Sequence, residues 1–309
     1  MDIVGIGLCT FDIMIKLPEL PTWDHPVRLD EVLFDGGGPC GTALCAAAEL
    51  GAKVSFIGTA GKDWFAKYKL QTLREHCVDI SHVLYREAKE NQIACVNVDE
   101  RTGERIFNLS KDFYKNPVRV DELDREFITQ ADYLLLDGHY LHASVQAANW
   151  MHDNGKKVML DGGKTSAKEL DAEKKALVAL TDILICGAGF AEALTGEDEL
   201  HDAGKAALAY GPQIVVITMG DKGSFTITPE KTFHTPAFNV DVVDTTGAGD
   251  VFHGAYLFGL LKDWDLETIA IFSSAVSAIE CTFLGGRSQI PDFHQVANFL
   301  LARGIRIPN

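Results

Sequence analysis

Short apolar, β-branched runs alternate with helix-length patterns along most of the 309 residues, and this alternation constrains the fold more than any other feature of the chain. The runs at 3–8, 54–57, 133–136, 158–160, 183–185 and 214–218 are short and apolar, as strands covered on both faces must be. Helices are expected between them at 42–50, 64–77, 144–154 and 203–210, with Gly51, Gly155 and Gly211 closing three of them. Repeated strand–helix–strand units imply an α/β fold: a doubly wound, mainly parallel sheet with helices on both faces.

Two stretches break the period. Residues 12–34 and 92–108 carry extended patterns with no helix between them, and in the second a polar Thr102-Gly103-Glu104 turn separates 94–98 from 105–107. Such hairpin-like strands do not join a parallel sheet easily. They are expected to form a small separate sheet, a lid built from segments of about 12–35 and 92–109. In the C-terminal third, extended pieces at 224–228 and 232–243 lead into helical patterns at 250–262, 266–281 and 292–302. With no internal repeat or Pro-rich linker, residues 1–309 read as one domain plus its lid.

Charge narrows the partners. Lys and Arg total 28 against 44 Asp and Glu, a formal charge of −16, which repels nucleic-acid phosphates and anionic membranes alike. Neither is an expected partner. The seven cysteines are scattered with no CxxC pair, which fits buried thiols in a reducing cytoplasm better than a disulfide framework. The opening MDIVGIGL has no basic segment before its apolar run, and no membrane-length apolar window follows, so a cytoplasmic location is expected.

Three glycine loops imitate nucleotide motifs. Gly36, Gly38 and Gly41 satisfy GxGxxG, but a dinucleotide fold places that loop directly after its first strand, here 3–8. These glycines fit better as a place where backbone approaches a polyol, or as a tight turn packing a helix on the sheet. Gly162-Gly163-Lys164-Thr165 looks like the end of a P-loop, yet Val158 stands where that motif needs its first glycine, so a turn with a solvated Lys164 is expected. The third loop, Asp244-Thr245-Thr246-Gly247-Ala248-Gly249-Asp250, opens a long helix pattern. Small residues at a helix start leave backbone N–H groups uncovered, and with the positive end of the helix dipole they make a seat for phosphate oxygens.

The run VVDTTGAGDVFHGA at 242–255 resembles the C-terminal signature of the ribokinase, or PfkB, carbohydrate kinase family, and GGGPCGTALCAAAELGAKVSFIGTAGKD at 36–63 resembles its N-terminal signature. Order, separation and length match over essentially the whole chain. The resemblance implies a ribokinase-like fold and an ATP-dependent kinase phosphorylating a hydroxyl, primary by preference, of a monosaccharide or sugar derivative. It also implies a β-sheet lid often used for dimerisation, hence a homodimer. Asp250 becomes the catalytic base, with Gly247, Ala248 and Gly249 forming the anion hole for the transferred phosphoryl group. A helix N-terminus is expected to depress the pKa of Asp250. Asp12 matches the sugar-binding acid, Gly37 and Gly38 line the sugar, and Thr42 stands where relatives often carry Asn. Asn108 is a candidate replacement for that amide. Thr218, Gly220 and Gly223 match the nucleotide-side segment.

One departure concerns metal. The family's NxxE positions fall on Gly187 and Phe190, so magnesium is expected to enter with ATP and be held chiefly by phosphates and water. A potassium ion is the second candidate, held by Asp244 and Thr246 with carbonyls of 282–289. His139 and His142 form HxxH without an acidic partner, leaving His139 free to face substrate, and His253 reads as packing. The pattern Cys281-Thr282 with Gly285-Gly286-Arg287 looks nearest to the fructose-like and sulfofructose kinase branch. A nucleoside kinase of the same fold, a dinucleotide-dependent oxidoreductase and a catalytically idle sugar-binding protein are the alternatives.

Overall fold

The computed structural model describes residues 1–308. In chain order the elements are β1 (Ile3–Ile6), β2 (Thr10–Leu17), β3 (Glu31–Gly37), α1 (Pro39–Glu49), β4 (Val54–Ile57), β5 (Thr59–Ala60), α2 (Trp64–Glu75), β6 (Leu84–Tyr85), β7 (Ile93–Asp99) and β8 (Arg105–Leu109). Then come α3 (Arg125–Thr129), β9 (Tyr133–Leu136), α4 (Leu141–Asp153), β10 (Lys157–Gly163), α5 (Ala172–Val178), β11 (Ile183–Cys186), α6 (Phe190–Thr195), α7 (Leu200–Ala207) and β12 (Ile214–Thr218). The chain ends with β13 (Ser224–Ile227), β14 (Thr232–Thr235), α8 (Ala248–Leu261), α9 (Leu266–Glu280) and α10 (Phe293–Leu301).

Eight strands form the main sheet in the order β14-β13-β12-β11-β10-β9-β1-β4. It is parallel from β12 to β4, and β13 and β14 add an antiparallel edge. Two apolar clusters cover its faces, one around α1, α8 and α9 and one around α4 to α7, which is the two-faced burial that apolar strands require. The expected extended run at 232–243 stops at Thr235. Pro236 lacks the N–H that a ladder needs, and the chain leaves the sheet there toward the cavity described below.

The small sheet runs β3-β2-β7-β8, with β2 parallel to β7 and the outer pairs antiparallel. Its inner face packs Met14, Leu33, Ala94, Val96 and Val98 on Leu284. At its base, the fully buried Lys69 ammonium of α2 donates to the Glu90 carboxylate (2.8 Å), the Gln92 side chain and the Thr59 carbonyl.

Helices α1 and α8 cross at unusually close range. A Cβ on Gly254 would stand 2.0 Å from the Ala43 carbonyl oxygen and 2.9 Å from Ala46 Cβ, and backbone cannot yield as a side-chain tip can. The prediction is that Gly254→Ala forces the two helices apart and lowers unfolding stability by about 1–3 kcal/mol, the usual cost of overpacking. Chemical denaturation measures it, and an unchanged midpoint would show that the crossing is not tight.

Candidate active site

Where α1 and α8 begin, the C-terminal edge of the parallel sheet opens into a cavity of about 910 Å³, with the small sheet on its other side. Both helices start at glycines in conformations that side chains rarely adopt, Gly38 at φ 90° and Gly247 at φ 83°, and neither start carries a side-chain cap. Gly247 also passes close to Gly286, whose Cα would lie 2.8 Å from an added Cβ. Around Gly249, no described atom outside its own turn of helix stands within 4 Å of an added Cβ, so that glycine leaves its space to the cavity. Gly247, Ala248, Gly249 and Asp250 all line it, with the dipole of a 14-residue helix behind them.

Asp250 is half-buried at the floor of this cavity. Its carboxyl is pushed up to about 7, first by burial and then by the Asp161 charge, against the opposing pull of His253, Arg105 and Arg287. This corrects the expectation of a depressed pKa: desolvation and a neighbouring carboxylate outweigh the helix terminus. Asp161, at the end of β10, also lines the cavity and lies 3.4 Å from His253 Nε2. The other ring nitrogen of His253 donates to the Gly249 carbonyl, so His253 ties the first turn of α8 to the sheet edge rather than merely packing.

At the α1 end, Asp12, Gly37, Gly38 and Thr42 line the same cavity. Asp12 is 4% exposed and its Oδ1 has no hydrogen-bond partner among the described residues. Burial pushes its carboxyl up to about 7, offset in part by a hydrogen bond from Thr10 and by the Arg287 charge. A Cβ on Gly37 would fall 2.0 Å from Asp12 Oδ2, so only glycine lets the two strands seat that carboxylate. Asn108 is a correction. Arg105, Phe107 and Leu109 of β8 line the cavity, and the two-residue period of a strand turns Asn108 to the opposite face, where its amide nitrogen approaches the Cys95 carbonyl at 3.4 Å.

Thr218, Gly220 and Gly223 line the far end of the cavity beside the 237–240 segment. The Thr218 hydroxyl donates to the Cys186 carbonyl (3.2 Å). Gly220 (φ 61°) and Gly223 (φ 85°) take positive-φ turns there. Gly187 lines the cavity, whereas Phe190 is buried in the core, so Asp161 is the carboxylate that faces the site from this side. Lys164 is exposed, but at the cavity wall against Gly187. His139 also lines the cavity, stacked near Tyr114 with ring centroids 5.7 Å apart; His142 is exposed on α4.

Asp244 is fully buried beneath the Thr245–Gly249 turn. Its Oδ1 accepts from the Thr246 N–H and hydroxyl (2.9 and 2.8 Å), and its Oδ2 from the Gly285 N–H (3.0 Å). Beside it lies Glu280, 1% exposed, with neither carboxylate oxygen partnered among the described residues. Burial, then the Asp244 and Asp250 charges, push the Glu280 carboxyl well up.

Asp161, Glu280 and Arg287 escaped sequence reasoning as site residues, and Arg105 was legible only as an available lid cation whose place the sequence does not fix. Asp161 carried a usable signal, since it follows a parallel strand at the edge where open α/β sheets bind ligands. The Arg105 guanidinium reaches from the small sheet to the Thr245 hydroxyl (2.5 Å), a contact across 140 residues that no local pattern announces.

Two uncovered helix starts, a carboxylate beside one of them and a second carboxylate across the same cavity make a site for moving a phosphoryl group onto a polyol. Residues 2–292 match the pfkB family of carbohydrate kinases, and the chain belongs to that family. It is a carbohydrate kinase, an ATP-dependent phosphotransferase acting on a sugar or sugar derivative. The chain is 31% identical over 301 residues to a ribokinase of Haemophilus influenzae, covering 96% of this chain and 97% of that one. In fold it is similar to a putative ribokinase from Agrobacterium tumefaciens (TM-score 0.87, 21% identity, 99% of each chain). It is also similar to a putative ribokinase II from E. coli solved in complex with ATP and Mg²⁺ (TM-score 0.81, 20% identity, 97% and 99% of the two chains). No helix among the described residues is long and apolar enough to cross a membrane.

The carboxyl pair at the floor of the cavity generates a prediction. Burial and the Asp161 charge push the Asp250 carboxyl up to about 7, and Asp161→Asn removes the like charge, so the Asp250 pKa is expected to fall. Carbon-13 carboxyl NMR reads it; an unmoved titration would place the cause of the elevation in burial alone.

Proposed function

We propose that this kinase phosphorylates a primary hydroxyl of a monosaccharide or close derivative held between Asp12 and the Gly37–Thr42 helix start, using the γ-phosphate of ATP laid along Thr218, Gly220 and Gly223. The observation that carries the reading is the convergence of both glycine-started helices on one cavity, each beside a carboxylate. Asp12, with a free buried oxygen, accepts from sugar hydroxyls and orients the acceptor. The N–H groups of Gly247, Ala248 and Gly249 meet the charge that develops on the transferred phosphoryl oxygens. Asp250 aligns the attacking hydroxyl and takes its proton, for which a carboxyl near 7 is well matched to neutral conditions.

Asp161 fits a magnesium ion through water, since it is a carboxylate facing the cavity that Gly187 also lines. The ion, when bound, neutralises charge on the ATP phosphates. A potassium ion fits beneath the anion loop for a structural reason: both Glu280 oxygens are buried and unpartnered beside Asp244. Asp244, Glu280 and the Thr246 carbonyl would hold it and so steady the turn that aims the N–H groups. Activity in potassium is then higher than in sodium or a bulky organic cation at equal ionic strength, and identical initial rates in all three would remove this site.

A homodimer through the small sheet would cover its outer face, where Val32, Phe34 and Ile106 are exposed beside Ile13 and Ile15. The relatives compared carry ribokinase-type names, and they lend no support to the fructose-like branch that the C-terminal pattern suggested. We therefore favour a pentose. A nucleoside is the second reading, because Phe107, Leu109, Phe113 and Tyr114 give the sugar end an apolar wall that a base could stack on.

A coupled ADP-release assay over ribose, 2-deoxyribose, fructose and adenosine separates these. The expected result is turnover with a pentose, and an Asp250→Asn loss in kcat of about a thousandfold or more, with sugar affinity within a few fold. Best turnover with adenosine would establish the nucleoside reading, and an Asp250→Asn enzyme keeping a tenth of the turnover would sink Asp250 as base.

A further inference from the structure

Among the described residues the largest fully buried side chain is that of Arg287, in the loop after α9, and its hydrogen bonds go to neither the phosphoryl seat nor the nucleotide segment. Its guanidinium lies directly behind the start of α1. Nε donates to Thr42 Oγ1 (3.1 Å), one terminal nitrogen to Thr72 Oγ1 (3.1 Å) and the other to the Gly37 carbonyl, and both face Cys9 Sγ at 3.6 Å. Its backbone N–H donates to Asp35 Oδ2 (3.0 Å), whose other oxygen accepts from the Gly36 N–H (2.7 Å). Thus one residue engages the loop from Asp35 to Thr42 at three points, Asp35, Gly37 and Thr42.

The loop is shaped around this group. A Cβ on Gly41 would fall 2.2 Å from one guanidinium nitrogen and a Cβ on Gly36 2.6 Å from the other. The GxGxxG spacing that imitates a dinucleotide motif is thereby explained: Gly36 and Gly41 make room for an arginine, and Gly37 and Gly38 face the cavity. Burying a cation among hydroxyl, carbonyl and thiol partners is costly unless nearby charge offsets it, and the carboxylates of Asp12 and Asp35 supply that charge. Simple filling of the space would be served by an apolar side chain at lower cost.

We infer that Arg287 is the positioning residue of the sugar half of the site: it holds the Gly37 backbone against the substrate and polarises Thr42 so that this hydroxyl donates into the cavity. A threonine hydroxyl has one proton and two lone pairs. With Nε donating to it from behind, the proton is free to point forward, and Thr42 lines the cavity while Arg287 does not. The atom of the acceptor facing Thr42 is therefore an oxygen able to accept, such as a ring ether oxygen or a hydroxyl lone pair. This inference rests on the sugar-kinase reading for its substrate and on the structure alone for the loop.

The test compares wild type with Arg287→Gln, Arg287→Lys and Thr42→Val, using whichever of ribose, 2-deoxyribose, fructose and adenosine the wild type phosphorylates best. Arg287→Gln is expected to raise KM for that acceptor roughly tenfold or more, the scale of one or two lost hydrogen bonds, with KM for ATP within about twofold. Arg287→Lys, which keeps the charge but not the fork, falls between. Thr42→Val raises acceptor KM roughly tenfold and leaves the bonds of Arg287 to Gly37, Thr72 and Asp35 in place, so this arm is read independently of whether Arg287→Gln folds. Hydrogen–deuterium exchange of the segment 36–42 needs no substrate: it is expected to speed up in Arg287→Gln and Arg287→Lys. Unchanged acceptor KM and unchanged exchange would overturn the inference, and equal rises in KM for both substrates would reduce Arg287 to a structural role. Should the wild type accept none of the four compounds, the pentose reading fails while the exchange arm still decides the role of Arg287.

Discussion

The contact between the Ala43 carbonyl and Gly254 is the constraint on which the rest of the site depends. It lets α1 and α8 cross at backbone range, and because both helices begin at the same edge of the sheet, their starts open into one cavity. One start faces Asp12 and the other bears Asp250, so the place that orients an acceptor and the place that receives a phosphoryl group are parts of one volume. Positioning of this kind supplies much of the catalysis in phosphoryl transfer, where there is little covalent chemistry for a protein to do.

Charge is handled unevenly around that cavity. The chain is strongly acidic overall, and burial lifts both Asp12 and Asp250 to about 7. The cations that counter them come from elements remote in sequence: Arg287 from the loop after α9 and Arg105 from the small sheet. Arg105 bonds the Thr245 hydroxyl and lies within electrostatic reach of Asp250 and Glu280. Since it stands on β8, any movement of the small sheet changes the field at the phosphoryl seat.

What was legible in the sequence was what local physics writes into it. Apolar runs such as 133–136 and 214–218 became strands at those bounds, and Gly51, Gly155 and Gly211 ended helices because they adopt positive φ. The small sheet was visible as strand patterns without helices, and Gly247 to Asp250 as an uncapped helix start. Illegible were facts set by tertiary neighbours. The side of β8 that faces inward depends on register with β7, so Asn108 was misplaced. The pKa of Asp250 depends on Asp161, which is remote in sequence, and no helix-terminus rule contains that charge. Arg287 became a site residue only when the loop after α9 was folded behind α1.

If the two helix starts share one cavity as described, the phosphoryl group passes from ATP to the acceptor in a single in-line displacement. The direct measurement is the stereochemical course at phosphorus, using ATP whose γ-phosphoryl group is made chiral with oxygen isotopes and analysing the sugar phosphate formed. Inversion of configuration is the predicted result. Retention would mean two displacements through a phosphorylated enzyme, and would contradict the claim that both substrates meet over Asp250.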